Sequence, residues 1–434
     1  MRIQGWGRYP VVEARVLAPA TATQTARALA ARDGQPLIAR GLGRSYGDSS
    51  LAPLVIDSLP RRLLLDFDAG TGVLRCEAGA TLDDLIAVLL PRGWFPPVTP
   101  GTRFVTVGGA LASDVHGKNH HRDGCFSEHV LEFELMLADG RVLRCARDRH
   151  AELFRATCGG MGLTGVLLTV TLRLRRVASA YIDQTTLRAG SLAEALELFE
   201  RHRDATYSVA WIDCLAGGAR LGRSLLMLGE HAEEGGLAPP QPRTRTRTLP
   251  LDLPPSLLNR HTIGAFNALY FHKPGASRRR VHYEPYFYPL DGLLHWNRLY
   301  GKAGFVQYQF VLPRAAGAAP LCAILARIAA SGRGSFLAVL KSMGPANDNH
   351  LSFPIEGYTL ALDFKLEPGL FALLDELDAM VLDAGGRLYL AKDARMSAAT
   401  FERGYPRHAA FRQVRRDYGA DGAFASSQSH RLGL

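Results

Sequence analysis

The chain has 434 residues, 47% hydrophobic and 21% charged, too long for one ordinary core, so two domains are expected and wholesale disorder is excluded. Its formal charge of +10 favours anionic partners: phosphates, acidic lipid surfaces or nucleic acid. Six cysteines at Cys76, Cys125, Cys145, Cys158, Cys214 and Cys322 form no CxxC pair, which speaks against a zinc or disulfide framework and for reduced thiols.

The first residues, "MRIQGWGRYPVVEARVLAP", lack the apolar core of a signal peptide, and no window reaches the length of a membrane span. A cytoplasmic setting with at most peripheral membrane contact is expected. Then "QPLIARGLGRSYGD" is expected as a strand entering a loop, and "RRLLLDFDAGTGVLRCEAG" as a hairpin. "ATLDDLIAVLLPRGW" has the marks of a helix, with Thr81 as N-cap, Asp84 at the capping-box position, and Gly93 and Pro96 as stops. "HVLEFELMLADGRVLRC" is expected as a second hairpin around Asp139-Gly140, and "HAELFRATCGGMGLTGVLLTVTLRLRRV" as helix, glycine loop and strand. Residues 232 to 256, rich in Pro, Gly and Arg, are expected as a mobile loop whose Arg243, Arg245 and Arg247 are a solvated surface or a contact to phosphate or acidic lipid. Beyond it, alternating strands such as "FVQYQFVLP" and "YTLALDFKL", with a helix "GLFALLDELDAMVLDAGG" closed by Gly385, predict a second sheet domain.

Two glycine patterns fail the context test for a nicotinamide-dinucleotide site. In "GLGRSYG" the third glycine is one place late, and "GMGLTG" is preceded by a helix and followed by a strand, the reverse of the required order. Separate glycine-rich loops could instead bring backbone N–H groups to one long, flat cofactor with a pyrophosphate in its middle, or be ordinary turns. His116, His120 and His121 include a spacing that could bind a metal if helical, but Gly117 and Asn119 are poor helix formers and no Cys or carboxylate completes a set. With Lys118 they look more like donors around a phosphate or a redox ring.

The segments "IARGLGRSYGD", "PGTRFVTVGGALASDVHGKNHH", "LFRATCGGMGLTG", "HYEPYFYPLDGLLHWNRLYG", "QYQFVLP", "LSFPIEGY" and "GGRLYLAKDAR" together resemble, in order and across nearly the whole chain, the FAD-linked oxidases of the vanillyl-alcohol-oxidase type. The likeness is to the branch acting on a lipid-linked ribose phosphate. It implies an α+β protein: a PCMH-type FAD-binding domain of two α/β subdomains, built from residues 1–180 and 387–434, with an antiparallel-sheet substrate domain, 181–386, inserted between. By this resemblance, Arg40, Gly41, Leu42, Gly43, Arg44, Ser45, Tyr46, Gly47, Asp48 and Ser49 would wrap the FAD pyrophosphate, as would Thr106, Val107, Gly108 and Gly109. Gly101, His116, Gly117, Lys118, Asn119, Val166 and Tyr389 would take other parts of it. Many relatives bind the flavin covalently through a His where Arg44 stands here, and arginine cannot form that bond. FAD is therefore expected to be dissociable.

The implied reaction oxidises the 2'-hydroxyl of a polyprenyl-phosphate-linked ribofuranose to a keto sugar, the first half of an epimerisation to arabinose completed by a short-chain-dehydrogenase-type reductase. The alternative is oxidation of a soluble alditol or aldonolactone. Quinone or oxygen would take the electrons; no nucleic-acid motif accompanies the charge. Lys392 matches the family's active-site lysine, as base or charged donor, with His116 at the flavin edge; Tyr46, at a position that matches the substrate pocket, joins them as a catalytic candidate. Tyr288, Gln307, Gln309, Lys341, Thr359 and Ala361 match substrate-pocket positions. Mycobacterial members carry Cys where Ala361 stands and Asn where Thr359 stands, a departure that reshapes the pocket.

Overall fold

A computed structural model describes residues 1–237, 247–272 and 277–434. Near the N-terminus a three-stranded parallel sheet, in the order Arg15–Leu17, Leu54–Asp57, Ile38–Arg40, lies beside helix Ala22–Ala30. The expected hairpins follow. Leu64–Asp68 pairs with Val73–Glu77, and Val130–Met136 pairs with Val142–Ala146. Strand Val166–Arg173 joins the two hairpins into a five-stranded antiparallel sheet. Helix Leu82–Leu89 starts where the capping pattern places it: the Thr81 side chain accepts from the Asp84 amide, and the Asp84 carboxylate accepts from the Thr81 amide.

Among the described residues the largest sheet has eight strands. In order they are Ser277–His282, Tyr181–Ala189, Ser224–His231, Tyr207–Ile212, Ala338–Met343, Gly357–Lys365, Phe305–Pro313 and Arg387–Leu388. Every residue of the interior strand Tyr207–Ile212 is buried, whereas the edge strand Ser277–His282 exposes Arg278, Arg279 and Arg280, which discourages pairing with another chain. Helix Leu370–Asp383 turns four of its leucines inward and ends at Gly385, whose φ of 73° permits the left-handed turn.

The last segment of the chain reaches two of these sheets. Arg387–Leu388 forms the outer edge of the eight-stranded sheet, while Leu37 exchanges backbone hydrogen bonds with Ala423 and Ala425 beside the parallel sheet. Of the expected mobile loop, Arg243 and Arg245 lie outside the described residues, whereas Arg247–Thr248 pairs in parallel with Leu293–Leu294. All six cysteines are free thiols, five of them buried. Among the described residues, no helix is long and apolar enough to cross a membrane.

Candidate active site

Three neighbouring strands of the large sheet supply one polar face. Residues directly opposite each other in an antiparallel ladder point to the same side. The register sets Gln307 against Asp363, Gln309 against Ala361, and Thr359 against Lys341, so Gln307, Gln309, Thr359, Ala361, Asp363 and Lys341 share that side. Three are polar residues withdrawn from water, Gln309 at 4% exposed, Thr359 at 0% and Asp363 at 1%, with Gln307 and Lys341 partly covered.

Two loops close over this face. The turn 389–396 is held by the Asp393 carboxylate, which accepts from the amides of Arg395 and Met396 and from Arg431. The loop 40–49 lies on it backbone to backbone: the Tyr46 amide donates to the Ala391 carbonyl at 3.0 Å, and a Cβ on Gly47 would stand 1.8 Å from the Asp393 carbonyl oxygen. Only glycine allows that approach. Its result is that the Lys392 ammonium sits 4.0 Å from the centre of the Tyr46 ring.

The charges in this site are poorly solvated. Burial pushes the Lys392 ammonium down to about 7, with Asp363 opposing the shift and Lys341 adding to it. Burial likewise takes Lys341 to about 8 and raises the Asp363 carboxyl to about 7, against the hydrogen bond from Gln307 and the charge of Lys392. Asp363 accepts from Gln307 Nε2 at 2.6 Å and from the Tyr300 hydroxyl at 3.5 Å. His116, 5% exposed, is driven well below its ordinary value by burial, with Lys341, the neighbouring His120 and Lys392 adding to the shift, so it is neutral. Tyr46 is pushed far up, chiefly by burial, which keeps its phenol protonated.

Sequence reasoning named Thr359 and Ala361 and stopped short of Asp363. The same alternation along "GYTLALDFK" carries on to it two residues later, and that was the available signal.

The other expected positions divide. Arg44 stacks on Trp6 at 4.0 Å and faces Phe104 at 5.4 Å. Arg40 is spent on the Gln4 carbonyl and the Ser50 hydroxyl, and Asp48 on Arg431. Among the described residues, the amides of Leu42 to Ser45 meet no protein acceptor. The stretch Thr106 to Gly109 begins a helix, Val107–Ala112, and three of its amides are engaged within the protein. Val107 donates to Ala80, Gly108 to Ala78 and Gly109 to the Thr106 hydroxyl. The bare segment packs a helix tightly against Ala78 and leaves those amides no free hydrogen for an anion.

Asn119 is similarly committed, its amide donating to the Pro97 carbonyl and the Asp123 carboxylate. Lys118 donates to the carbonyls of Tyr286 and Phe287, and burial with Lys341 nearby takes it down to about 7. Tyr389 lies 5.1 Å from the His116 ring and donates to the Ser113 carbonyl. Val166 is packed with Leu37, Ile56 and Phe424. Tyr288 stands apart from the polar face; it is fully buried and its hydroxyl is bonded to Thr99 at 2.6 Å. The His116 and His120 rings are perpendicular with centres 6.3 Å apart, and His120 Nδ1 accepts from the Gly344 amide.

Three features fit a large ligand carrying an anionic centre and a ring. The amides of Leu42 to Ser45 are free to donate. A Cβ at Gly101 would meet no protein atom within 4 Å, and φ there is not positive, so neither the fold nor the backbone conformation calls for a glycine at that point. Nδ1 of His116 is buried without a partner.

Comparison with known proteins agrees with that fit. A family model described as an FAD binding domain matches residues 14–146. The chain is 40% identical to decaprenylphosphoryl-beta-D-ribose oxidase of Mycolicibacterium smegmatis, over 100% of this chain and 97% of that protein. It is 37% identical to an uncharacterised protein of Streptomyces coelicolor, over 82% of this chain and 100% of the relative. More distantly, cytokinin dehydrogenase 7 of rice is 29% identical over 44% of this chain and 37% of its own length.

Proposed function

This chain belongs to the FAD-linked oxidase family of decaprenylphosphoryl-beta-D-ribose oxidase, and from that premise we propose that its polar face oxidises the 2'-hydroxyl of a polyprenyl-phosphate-linked ribofuranose to the 2'-keto sugar. The protein is an FAD-dependent oxidoreductase acting on a CH–OH group. Residues 1–180 and 387–434 would form the FAD-binding part, and 181–386 the inserted substrate domain. The loop 40–49 would hold the pyrophosphate through its free amides, with Gly101 leaving room for the cofactor and His116 and Tyr389 beside its ring. Arg44 offers no atom for a covalent flavin link, so acid precipitation is expected to leave colourless protein and yellow supernatant; a yellow pellet would contradict this.

The observation that carries the reading is the placement of Lys392, between Tyr46 and Asp363 and beside Lys341. The bound FAD supplies the hydride acceptor. Oxidation of a carbinol also needs a base for the hydroxyl proton, and an amine whose proton is held only to about 7 is half free near neutrality. Lys392 takes that proton, and Asp363 stabilises the ammonium that forms. Gln307 and Tyr300 keep the Asp363 carboxylate turned toward the site.

Lys118 and Lys341, beside the Lys392 amine, bring positive charge into a site with little water. A phosphate would gain from that field where a neutral alditol or aldonolactone would not. A keto-sugar reductase of the short-chain-dehydrogenase type would consume the product. The test is anaerobic reduction of the bound FAD by polyprenyl-phosphoryl ribose, ribose 5-phosphate, xylitol and gulonolactone in parallel. Bleaching by the phosphorylated lipid-linked sugar is expected, and bleaching by xylitol or gulonolactone alone would overturn the substrate.

A further inference from the structure

We propose that Thr359 and Gln309 are positioning residues that fix His116 as the Nδ1–H tautomer, so that its ring offers a hydrogen-bond donor to an acceptor atom of the bound ligand. The direction of the whole relay follows from its far end. The Phe310 carbonyl can only accept, and Thr359 Oγ1 lies 2.8 Å from it, so the single hydroxyl hydrogen of Thr359 is spent there. Thr359 is fully buried, and toward Gln309, 3.2 Å away, its oxygen can then only accept.

Gln309 must therefore present its amide nitrogen rather than its oxygen. The same nitrogen stands 3.1 Å from His116 Nε2. That ring nitrogen accepts, and a neutral imidazole whose Nε2 accepts carries its hydrogen on Nδ1. The imidazole is neutral because it is buried, with Lys341, His120 and Lys392 nearby opposing its protonation.

Nδ1 is itself buried and has no partner among the described residues. The rings of Phe353 and Tyr389 flank the imidazole at 5.5 and 5.1 Å, and the Tyr389 hydroxyl is engaged with Ser113. A buried donor without an acceptor is costly, so this one is matched to a ligand. The identity of the acceptor, a flavin ring atom or a sugar oxygen, rests on the function proposed above; the tautomer does not.

The experiment is nitrogen-15 NMR on holoprotein labelled in histidine, with the His116 signals identified by their loss in His116→Gln. A protonated-type Nδ1 and a bare-type Nε2 are expected in the wild type. Thr359→Val removes the anchor and frees the Gln309 amide to turn, so an Nε2–H signal is expected to appear, and Thr359→Ser is expected to restore the wild-type pattern. Should Thr359→Val not fold, Gln309→Glu serves instead: its carboxylate only accepts, so it should draw the hydrogen to Nε2. An Nε2–H tautomer in the wild type, or no change in either variant, would overturn the proposal. Removing FAD, and separately adding the polyprenyl-phosphoryl ribose under anaerobic conditions, locates the acceptor by which step moves the Nδ1 signal; a signal moved by neither would overturn the donor role. Protein that binds no FAD would defeat the functional reading while leaving the tautomer result standing.

Discussion

Lys392→Ala is expected to slow reduction of the bound FAD by substrate by roughly two to four orders of magnitude, the usual contribution of a positioned base, while FAD stays bound. The reason lies in how little else Lys392 does. Its ammonium makes a cation–π contact with Tyr46 at 4.0 Å, whereas the turn that carries it is held by Asp393, Arg431 and Gln428. The 40–49 loop is fixed by its own backbone contacts to residues 391 and 393. Removing the amine therefore leaves the cradle standing. Flavin absorbance after gel filtration measures binding, and anaerobic stopped-flow measures reduction. A variant that reduces its FAD at the wild-type rate would remove Lys392 from the chemistry.

Asp363→Asn is expected to move the acid limb of the reduction rate to lower pH by on the order of one unit, the size of a close opposite-charge effect. The sign follows from which form reacts. The working form of Lys392 is the neutral amine, so the rate rises as pH passes its value of about 7. The Asp363 charge favours the ammonium and holds that value up, while Lys341 and burial pull it down. Loss of the carboxylate leaves only the downward influences, and the amine persists to lower pH. The asparagine keeps the shape of the site and its contacts to Gln307 and Tyr300 in part, so a merely structural role would lower the rate without moving the limb. An unchanged or raised limb, measured from pH 5.5 to 9, would exclude the Lys392–Asp363 pairing.

Local pattern and site legibility parted company in specific places. The Thr81 to Asp84 capping box, the Asp139-Gly140 hairpin and the Gly385 helix stop depend on residues next to one another, and each lies where the chain pattern places it. The polar face was partly legible through the family resemblance, which named Gln307, Gln309, Thr359 and Ala361; the register of 305–313 with 357–365 sets them on one side. Asp363 was not among them; the alternation along 357–365 reaches it, and the cross-strand register to Gln307 sets it, buried, on the same side. "TVGG" has two readings. Small residues suit a ligand cradle and close helix packing alike, and here the Ala78 and Ala80 carbonyls claim the amides. The meeting of Tyr46 with Lys392, far apart in the chain, depends on Gly47 lying against the Asp393 carbonyl.

The central claim is that this site removes hydrogen from C2' of a lipid-linked ribofuranose. The most direct measurement is anaerobic reduction of the bound FAD by polyprenyl-phosphoryl ribose carrying deuterium at C2', followed by stopped-flow at pH 8. A primary isotope effect on flavin bleaching, with a 2'-keto sugar that has lost the label, is the expected result. Bleaching without an isotope effect, with the deuterium retained in the product, would contradict the account.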